Sequence, residues 1–430
     1  MNWTQLLSTK RFGMEAYHAQ NANDRTEFQR DYDRLIFSAP FRRLQNKTQV
    51  FPLPTTIFVH NRLTHSLEVA CVGRSLGTNV AQKLGLDANA IGSIVSAACL
   101  AHDMGNPPFG HSGETAIASY FSEGEGLKLK TQMTENEWTD FTHFEGNANA
   151  LRLLTHQFNG RRKGGFALTY STLASIIKYP YASIATEKKK FGFFDSEKES
   201  FLRIAEELGI PQLADNKQKF ARYPLAFLIE AADDICYQIM DIEDAHKLKI
   251  LSTEETKSLL FSFFSEEQKQ RRLEVLKIVQ DVNEQIAYLR SSVIGQLVNE
   301  CTNSFVKNET ALLAGTYNTP LIENISQQCG EAYQACSKVA YKKIYCSQEV
   351  LDVELSGYKI ISTLLEHLIA AVQTPKNAYS KQLLLRIPEQ YETKAPTVYG
   401  RVQAVLDYVS GMTDVYALDF YRKITGINMN

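Results

Sequence analysis

The stretch Ala101-His102-Asp103-Met104-Gly105-Asn106-Pro107-Pro108-Phe109-Gly110-His111-Ser112-Gly113-Glu114 packs two histidines and two carboxylates into fourteen residues. Upstream, Ile94-Val95-Ser96-Ala97-Ala98-Cys99-Leu100-Ala101 is small and apolar, so it reads as a buried helix that delivers His102 and Asp103 into the interior at its C-terminal end. Gly105 suits the residue just past a helix, and Asn106-Pro107-Pro108 forbids continuation. A buried His beside a buried Asp is costly unless something pairs with both, and a divalent cation satisfies imidazole nitrogen and carboxylate oxygen together. The dipeptide alone is equally compatible with a hydrogen-bonded core histidine and a helix-ending aspartate.

Two further stretches bear on that choice. Asn61-Arg62-Leu63-Thr64-His65-Ser66-Leu67-Glu68-Val69-Ala70 opens a helix with a histidine among apolar neighbours, and Leu225 to Tyr237 is a long apolar helix carrying acids in its middle. Asp233, flanked by Ala231, Ala232 and Ile235, is hard to place in water. His65, His102, Asp103 and Asp233 together supply two nitrogens and two oxygens, a mixed set suited to a first-row divalent ion with positions left for water and substrate. On the Asp233 helix, Tyr237 and Asp241 follow at i+4 and i+8 and project from nearly the same face. A core tyrosine and a capping acid is the plain alternative. His111 and Glu114, three apart, stand at the distance at which a carboxylate orients an imidazole, for structure or for proton transfer.

The pattern H…HD…D resembles the HD superfamily of metal-dependent phosphohydrolases. The fuller strings Arg62 to Val69, His102 to Glu114 and Phe144-Glu145-Gly146-Asn147-Ala148 are similar to its deoxyguanosine triphosphate triphosphohydrolase branch. Phe41 to Phe51 and Gly411-Met412-Thr413-Asp414 extend the likeness over nearly the whole chain. The resemblance implies one divalent ion per chain, Mn²⁺, Mg²⁺ or another first-row ion, held by His65, His102, Asp103 and Asp233. It also implies hydrolysis of dGTP, or of other dNTPs, to deoxynucleoside and inorganic triphosphate by attack of metal-activated water at the α-phosphorus. His111 and Glu114 match the catalytic pair, with His111 as acid or base. Tyr237 and Asp241 match residues that pack against deoxyribose and bond its 3′-hydroxyl, and Gln49, with Val50 beside it, matches the sugar-reading position. Arg62, Asn147, Lys178 and Tyr179 match phosphate contacts, and Arg401 is a further candidate for base or phosphate. The basic turn Gly160-Arg161-Arg162-Lys163-Gly164-Gly165 lengthens the spacing between Asn147 and Lys178 relative to that branch. A homo-oligomer, a hexamer in the family, is expected.

Composition sets the bounds. The chain has 430 residues, enough for a large core, and a formal charge of −2, which gives no global pull toward nucleic acid or anionic membrane. Any basic surface is local, as at Arg42-Arg43 and Arg161-Arg162-Lys163: the second reads first as a solvated turn, and both could take an effector dNTP or single-stranded DNA as an added regulatory contact. Seven cysteines without a C-x-x-C pair point to reduced thiols. A polar N-terminus and the lack of a membrane-length apolar run lead us to expect a soluble, cytoplasmic protein without a membrane partner.

Spacing of three and four recurs almost everywhere, so the fold class reads as all-α: an HD-domain helical core with additional C-terminal helices. We expect helical segments over 24–49, ended by Pro52-Leu53-Pro54, and over 64–84, 88–101, 112–120, 146–158, 172–179, 200–208, 223–249, 265–299, 356–372 and 398–424. Residues 122–142, rich in Gly, Glu, Lys and Thr, read as a loop or small hairpin near the site entrance. Lys188-Lys189-Lys190 reads as a solvated charge run. A composition shift near Leu251 suggests a metal-bearing part, 1–250, and a C-terminal helical part, 251–430, as two domains or one. Two readings of other kinds compete: a different HD nucleotide phosphohydrolase, and a non-catalytic sensor of nucleotides or single-stranded DNA.

Overall fold

The computed structural model describes residues 1–17, 25–50, 59–186, 189–213 and 218–427. The expected helix stop at Pro52-Leu53-Pro54 lies outside the described residues, as does Lys188. The chain is all-α, and the only β pairing among the described residues is a set of isolated bridges.

Polar caps start two of the helices that lead to the site. Thr26 and Gln29 form a capping box at the head of α1 (Glu27–Ile36), and Asn61 and Thr64 do the same for α2 (Arg62–Leu84). Gly85, left-handed at φ 69°, ends α2 and turns the chain into α3 (Ala88–Ala101), whose residues are buried from Ala90 onward with the exception of Ser93. The helices α4 (Gly110–Ser122) and α5 (Gly146–Thr155) follow the HD loop, and α6 (Ala226–Lys247) carries Asp233. The C-terminal part contributes α7 (Val282–Lys307), α8 (Gln348–Gln373), α9 (Val398–Ser410) and α10 (Asp414–Thr425).

Two cores result, and neither divides at Leu251. One gathers α1, α2, α3, α6 and α7, with Leu76, Val95, Leu228, Ile235 and Leu297 at 0 % exposure. The other sets α4 residues Ile117 and Phe121 against Leu364, Leu368, Val405 and Val409 of α8 and α9. α8 is long and apolar enough to cross a membrane by composition, but half of its most apolar window is buried inside the chain. It serves as the central helix of the second core.

Three expectations are corrected. Residues 122–142 form no hairpin: a 3₁₀ segment, Glu125–Gln132, leads into a helix, Glu135–Thr142, whose Phe141 is fully buried and stacks on Phe121 at 4.8 Å. The 265–299 helix is two, Glu266–Ile278 and α7, because Asp281 caps a new N-terminus by accepting from the Glu284 amide. The segment read as a helix over 172–179 is a helix over Tyr170–Ile176, so Lys178 and Tyr179 lie beyond its end.

A buried ion cluster ties α5 to α9. Arg152 grips Asp407 with Nε and Nη2, both at 2.7 Å, and donates from Nη1 to Glu197 at 2.6 Å. All three side chains are at most 6 % exposed. Arg152→Met strands two buried carboxylates, so we expect about 3–5 kcal/mol of destabilisation, read as a lowered urea midpoint with an unchanged slope.

Candidate functional site

The C-terminal end of α3 brings His102 inward, and the backbone there sets its tautomer. The Cys99 carbonyl accepts from Nδ1 at 2.6 Å, which leaves Nε2 as the lone-pair atom, and that buried nitrogen has no hydrogen-bond partner. Nε2 lies 3.6 Å from Asp233 Oδ1 of α6 and 3.7 Å from Asp103 Oδ1. His65, one turn into α2, points its Nε2 at the same Asp233 oxygen, 3.0 Å away, and the two imidazole rings stand 5.4 Å apart. His65, His102 and Asp233 thus converge with one donor atom each inside a 4.8 Å sphere of mutual distances. An orphaned imidazole lone pair beside a second imidazole and a carboxylate is a donor set that fits a divalent ion.

Asp103 stands at the edge of this cluster with both oxygens engaged. Arg62 Nη1 donates to Oδ2 at 2.7 Å and Asn106 Nδ2 to Oδ1 at 2.5 Å. Burial opposes its charge, but Arg62 and His102 outweigh burial and hold the carboxyl below its usual range. Asp233 is driven well below by the same kind of balance, burial against His102 and His65. For His102 burial works against the imidazolium, yet Asp103 and Asp233 raise it to about 9.

The cluster forms one wall of a cleft of about 320 Å³, which also admits Gln49, His111, Glu114, Asn147, Lys178, Tyr179 and Tyr237. The loop between α3 and α4 is held tightly: a Cβ on Gly105 would sit 2.2 Å from the Gly146 carbonyl oxygen and Ala150 nitrogen of α5. His111 is 82 % exposed and donates from Nδ1 to Glu114 Oε2 at 2.8 Å, while the buried Glu114 accepts the Gly146 amide on Oε1 at 2.7 Å. The Glu114 bond is the main cause of a raised His111 pKa. The carboxyl of Glu114 falls below its ordinary range, because His111 outweighs the cost of burial.

The remaining expected contacts divide. Lys178 lies 3.3 Å from Glu230, which also accepts from Arg222 at 2.7 Å. Asn147 is bound to the Glu145 carboxylate through its own amide and side chain, at 2.8 and 3.0 Å. Asp241 is buried behind Tyr237 and accepts from Tyr345 at 2.6 Å, and burial raises its carboxyl to about 8. The Tyr345 ring stacks on Tyr237 at 5.8 Å. Val50 packs against the first core. Arg401 is not brought to this cleft: it donates to the Ala395 and Pro396 carbonyls at 2.9 and 3.1 Å and lines a separate cavity beside Gln373.

Sequence reasoning missed Lys190, taken as part of a solvated run. Its Nζ is 2.7 Å from Glu145 Oε1 in the cleft wall. The signal lay just downstream, where Phe191, Phe193 and Phe194 are all buried and pull the lysine inward. Glu230 and Tyr345 were equally invisible, since Lys178 and Asp241, which they meet, lie far off in the chain.

Comparison with known proteins gives two family matches and several relatives over the full chain. The HD domain matches residues 62–215, and the phosphohydrolase-associated domain matches residues 324–423. A deoxyguanosinetriphosphate triphosphohydrolase-like protein of Pseudomonas aeruginosa is 38 % identical over 99 % of both chains. One from Synechocystis is 36 % identical over the full length of both. A deoxyguanosinetriphosphate triphosphohydrolase of Yersinia enterocolitica is 32 % identical over 99 % of both.

Asp103 and Asp233 favour a proton on the His102 imidazole, raising it to about 9, and a divalent ion that binds through Nε2 displaces that proton. We expect release of about one proton per Mn²⁺ at pH 7 and affinity rising roughly tenfold per pH unit between about 6 and 8. Titration calorimetry in buffers of differing ionisation enthalpy reads both.

Proposed function

The chain belongs to the deoxyguanosinetriphosphate triphosphohydrolase-like branch of the HD-domain phosphohydrolases, and on that premise we propose that it hydrolyses dGTP, or another dNTP, to deoxynucleoside and inorganic triphosphate. What supports the reading is the meeting, in one cleft, of the His65, His102 and Asp233 cluster with the His111–Glu114 pair and the cations Arg62, Lys178 and Lys190. The HD residues His65, His102 and Asp233, with Asp103 at their edge, would hold one divalent ion. That ion supplies Lewis-acid neutralisation of phosphoryl charge and lowers the pKa of a water.

The rest falls to the chain's own side chains. Attack of water at the α-phosphorus breaks its bond to the 5′-oxygen, which departs needing a proton. The bond to Glu114 favours the protonated form of His111, and in this reading the imidazole gives a proton from Nε2 to the 5′-oxygen. Arg62, Lys178, Lys190 and the Asn147 amide meet the triphosphate oxygens. Tyr237, backed by Tyr345, closes the space at C2′, and Gln49 with Asp241 addresses the 3′-hydroxyl. The same reading carries a homo-oligomer in a cytoplasmic setting, with Tyr341, Leu351 and Leu355 among the exposed apolar side chains that a second copy would cover.

Incubation with each dNTP and Mn²⁺, with the phosphate product identified, tests this. Inorganic triphosphate supports it, and pyrophosphate or no product refutes it. His111→Ala should retain its ion and bind a non-hydrolysable dGTP analogue normally, yet turn over about 10²–10⁴-fold more slowly. Glu114→Gln should lose less, since it orients the imidazole. For the sugar, wild-type protein should discriminate against GTP, and Tyr237→Ala should narrow the gap between dGTP and GTP. Equal wild-type rates on the two would remove Tyr237 from the role of sugar gate.

A further inference from the structure

Lys47 and Asp414, 367 positions apart in sequence, join the C-terminal part to both sides of the cleft. Lys47 is 3 % exposed and Asp414 9 %. The Lys47 ammonium donates to the Asn106 carbonyl at 2.5 Å, just past the HD pair, and to the Ser410 carbonyl at 2.8 Å, at the end of α9. Asp414, the first residue of α10, accepts the Phe109 amide on Oδ1 at 3.0 Å and the Thr48 amide on Oδ2 at 2.7 Å. A lysine here is costly: burial draws its pKa down to about 7 although Asp414 opposes the fall.

What these bonds fix is specific. Phe109 adopts φ 62°, a left-handed conformation that is strained for a side chain of its size, and His111 follows two residues later. The Asp414 carboxylate holds the amide of that strained residue. α8 makes room on the other side, since a Cβ on Gly357 would lie 2.5 Å from the Phe109 Cβ. The other carboxylate oxygen holds Thr48, whose neighbour Gln49 faces the cleft. One side chain thus sets the backbone two residues before the proposed proton donor and one residue before the proposed sugar reader.

We propose that Lys47 and Asp414 are positioning residues through which the C-terminal helices set His111 and Gln49 for turnover, without contacting metal or substrate. This rests on the triphosphohydrolase reading, and its test separates the two: a wild-type protein that forms no triphosphate refutes that reading, whereas the latch is judged on variants of an active protein. Asp414→Asn keeps one acceptor and turns an amide toward the other N–H. A misplacement of about 1 Å far from the chemistry costs about 10²-fold in rate, so we expect kcat to fall about 10–100-fold, with one Mn²⁺ per chain retained.

The decisive readout is the same substitution in a His111→Ala background. If Asp414 acts through His111, the loss shrinks to less than about threefold there, because the group it positions is gone. Asp414→Glu, which keeps both oxygens, should recover part of the rate. A wild-type kcat in Asp414→Asn, a lost ion, or an equal fold-loss in both backgrounds overturns the proposal. Should Asp414→Asn fail to fold, Lys47→Met is judged by the same criteria, and failure of both to fold makes the pair structural and also overturns it.

Discussion

The groups around the cleft are arranged about a buried imidazole nitrogen that the fold leaves without a hydrogen-bond partner. The carbonyl of Cys99 fixes the His102 tautomer, and the burial of α3 denies Nε2 a water. His65 meets Asp233, and Asp103 is held by Arg62 and Asn106. Each supporting helix can be understood as bringing one of these groups: α2 brings Arg62 and His65, α3 brings His102 and Asp103, α6 brings Asp233. The small residues at the α2 and α3 contact, such as Gly73 against Cys99, allow the backbones close enough for the side chains to meet.

This dependence explains which parts were legible in the sequence. Metal-type residues at the ends of apolar helices announce themselves, because burial of His or Asp contradicts the surrounding composition. Helix caps and glycine stops were similarly plain, so α2 and α3 fall within about two residues of expectation. The 122–142 excursion misled because its polar composition belongs to the exposed side. Its anchors, Leu129 and Phe141, are few and spaced for a 3₁₀ turn followed by a short helix. The 279–281 break failed for the opposite reason, since apolar periodicity continued across it while Asp281 capped a new helix.

The site itself was legible as a set of ligands but not as a network. Pairs that are local, such as His111 with Glu114, can be inferred from spacing alone. Pairs such as Lys190 with Glu145, or Tyr345 with Asp241, depend on where distant elements dock, and no local pattern carries that information. The division suggested near Leu251, as two domains or one, also turns on how distant elements dock. Composition shifts there, but α8 and α9 pack against α4, whose first turn carries His111, and α7 packs against α2 and α6.

On the proposed reading, the network also accounts for how a chain with no net positive charge would receive a polyanion in this cleft. Each cation in it is already held by a carboxylate: Arg62 by Asp103, Lys178 by Glu230, Lys190 by Glu145, His111 by Glu114. These pairs place the cations before any ligand arrives, which spares the ordering cost that free lysine and arginine side chains bring to binding. They also mean that phosphate oxygens gain a cation only by sharing it with a carboxylate. The added negative charge would be repelled unless a compensating positive charge came with it, and a divalent ion at His65, His102 and Asp233 is placed to supply it. On the proposed reading, ion and triphosphate therefore strengthen one another's binding, and that mutual dependence follows from carboxylates which, taken one at a time, look unsuited to a phosphate site.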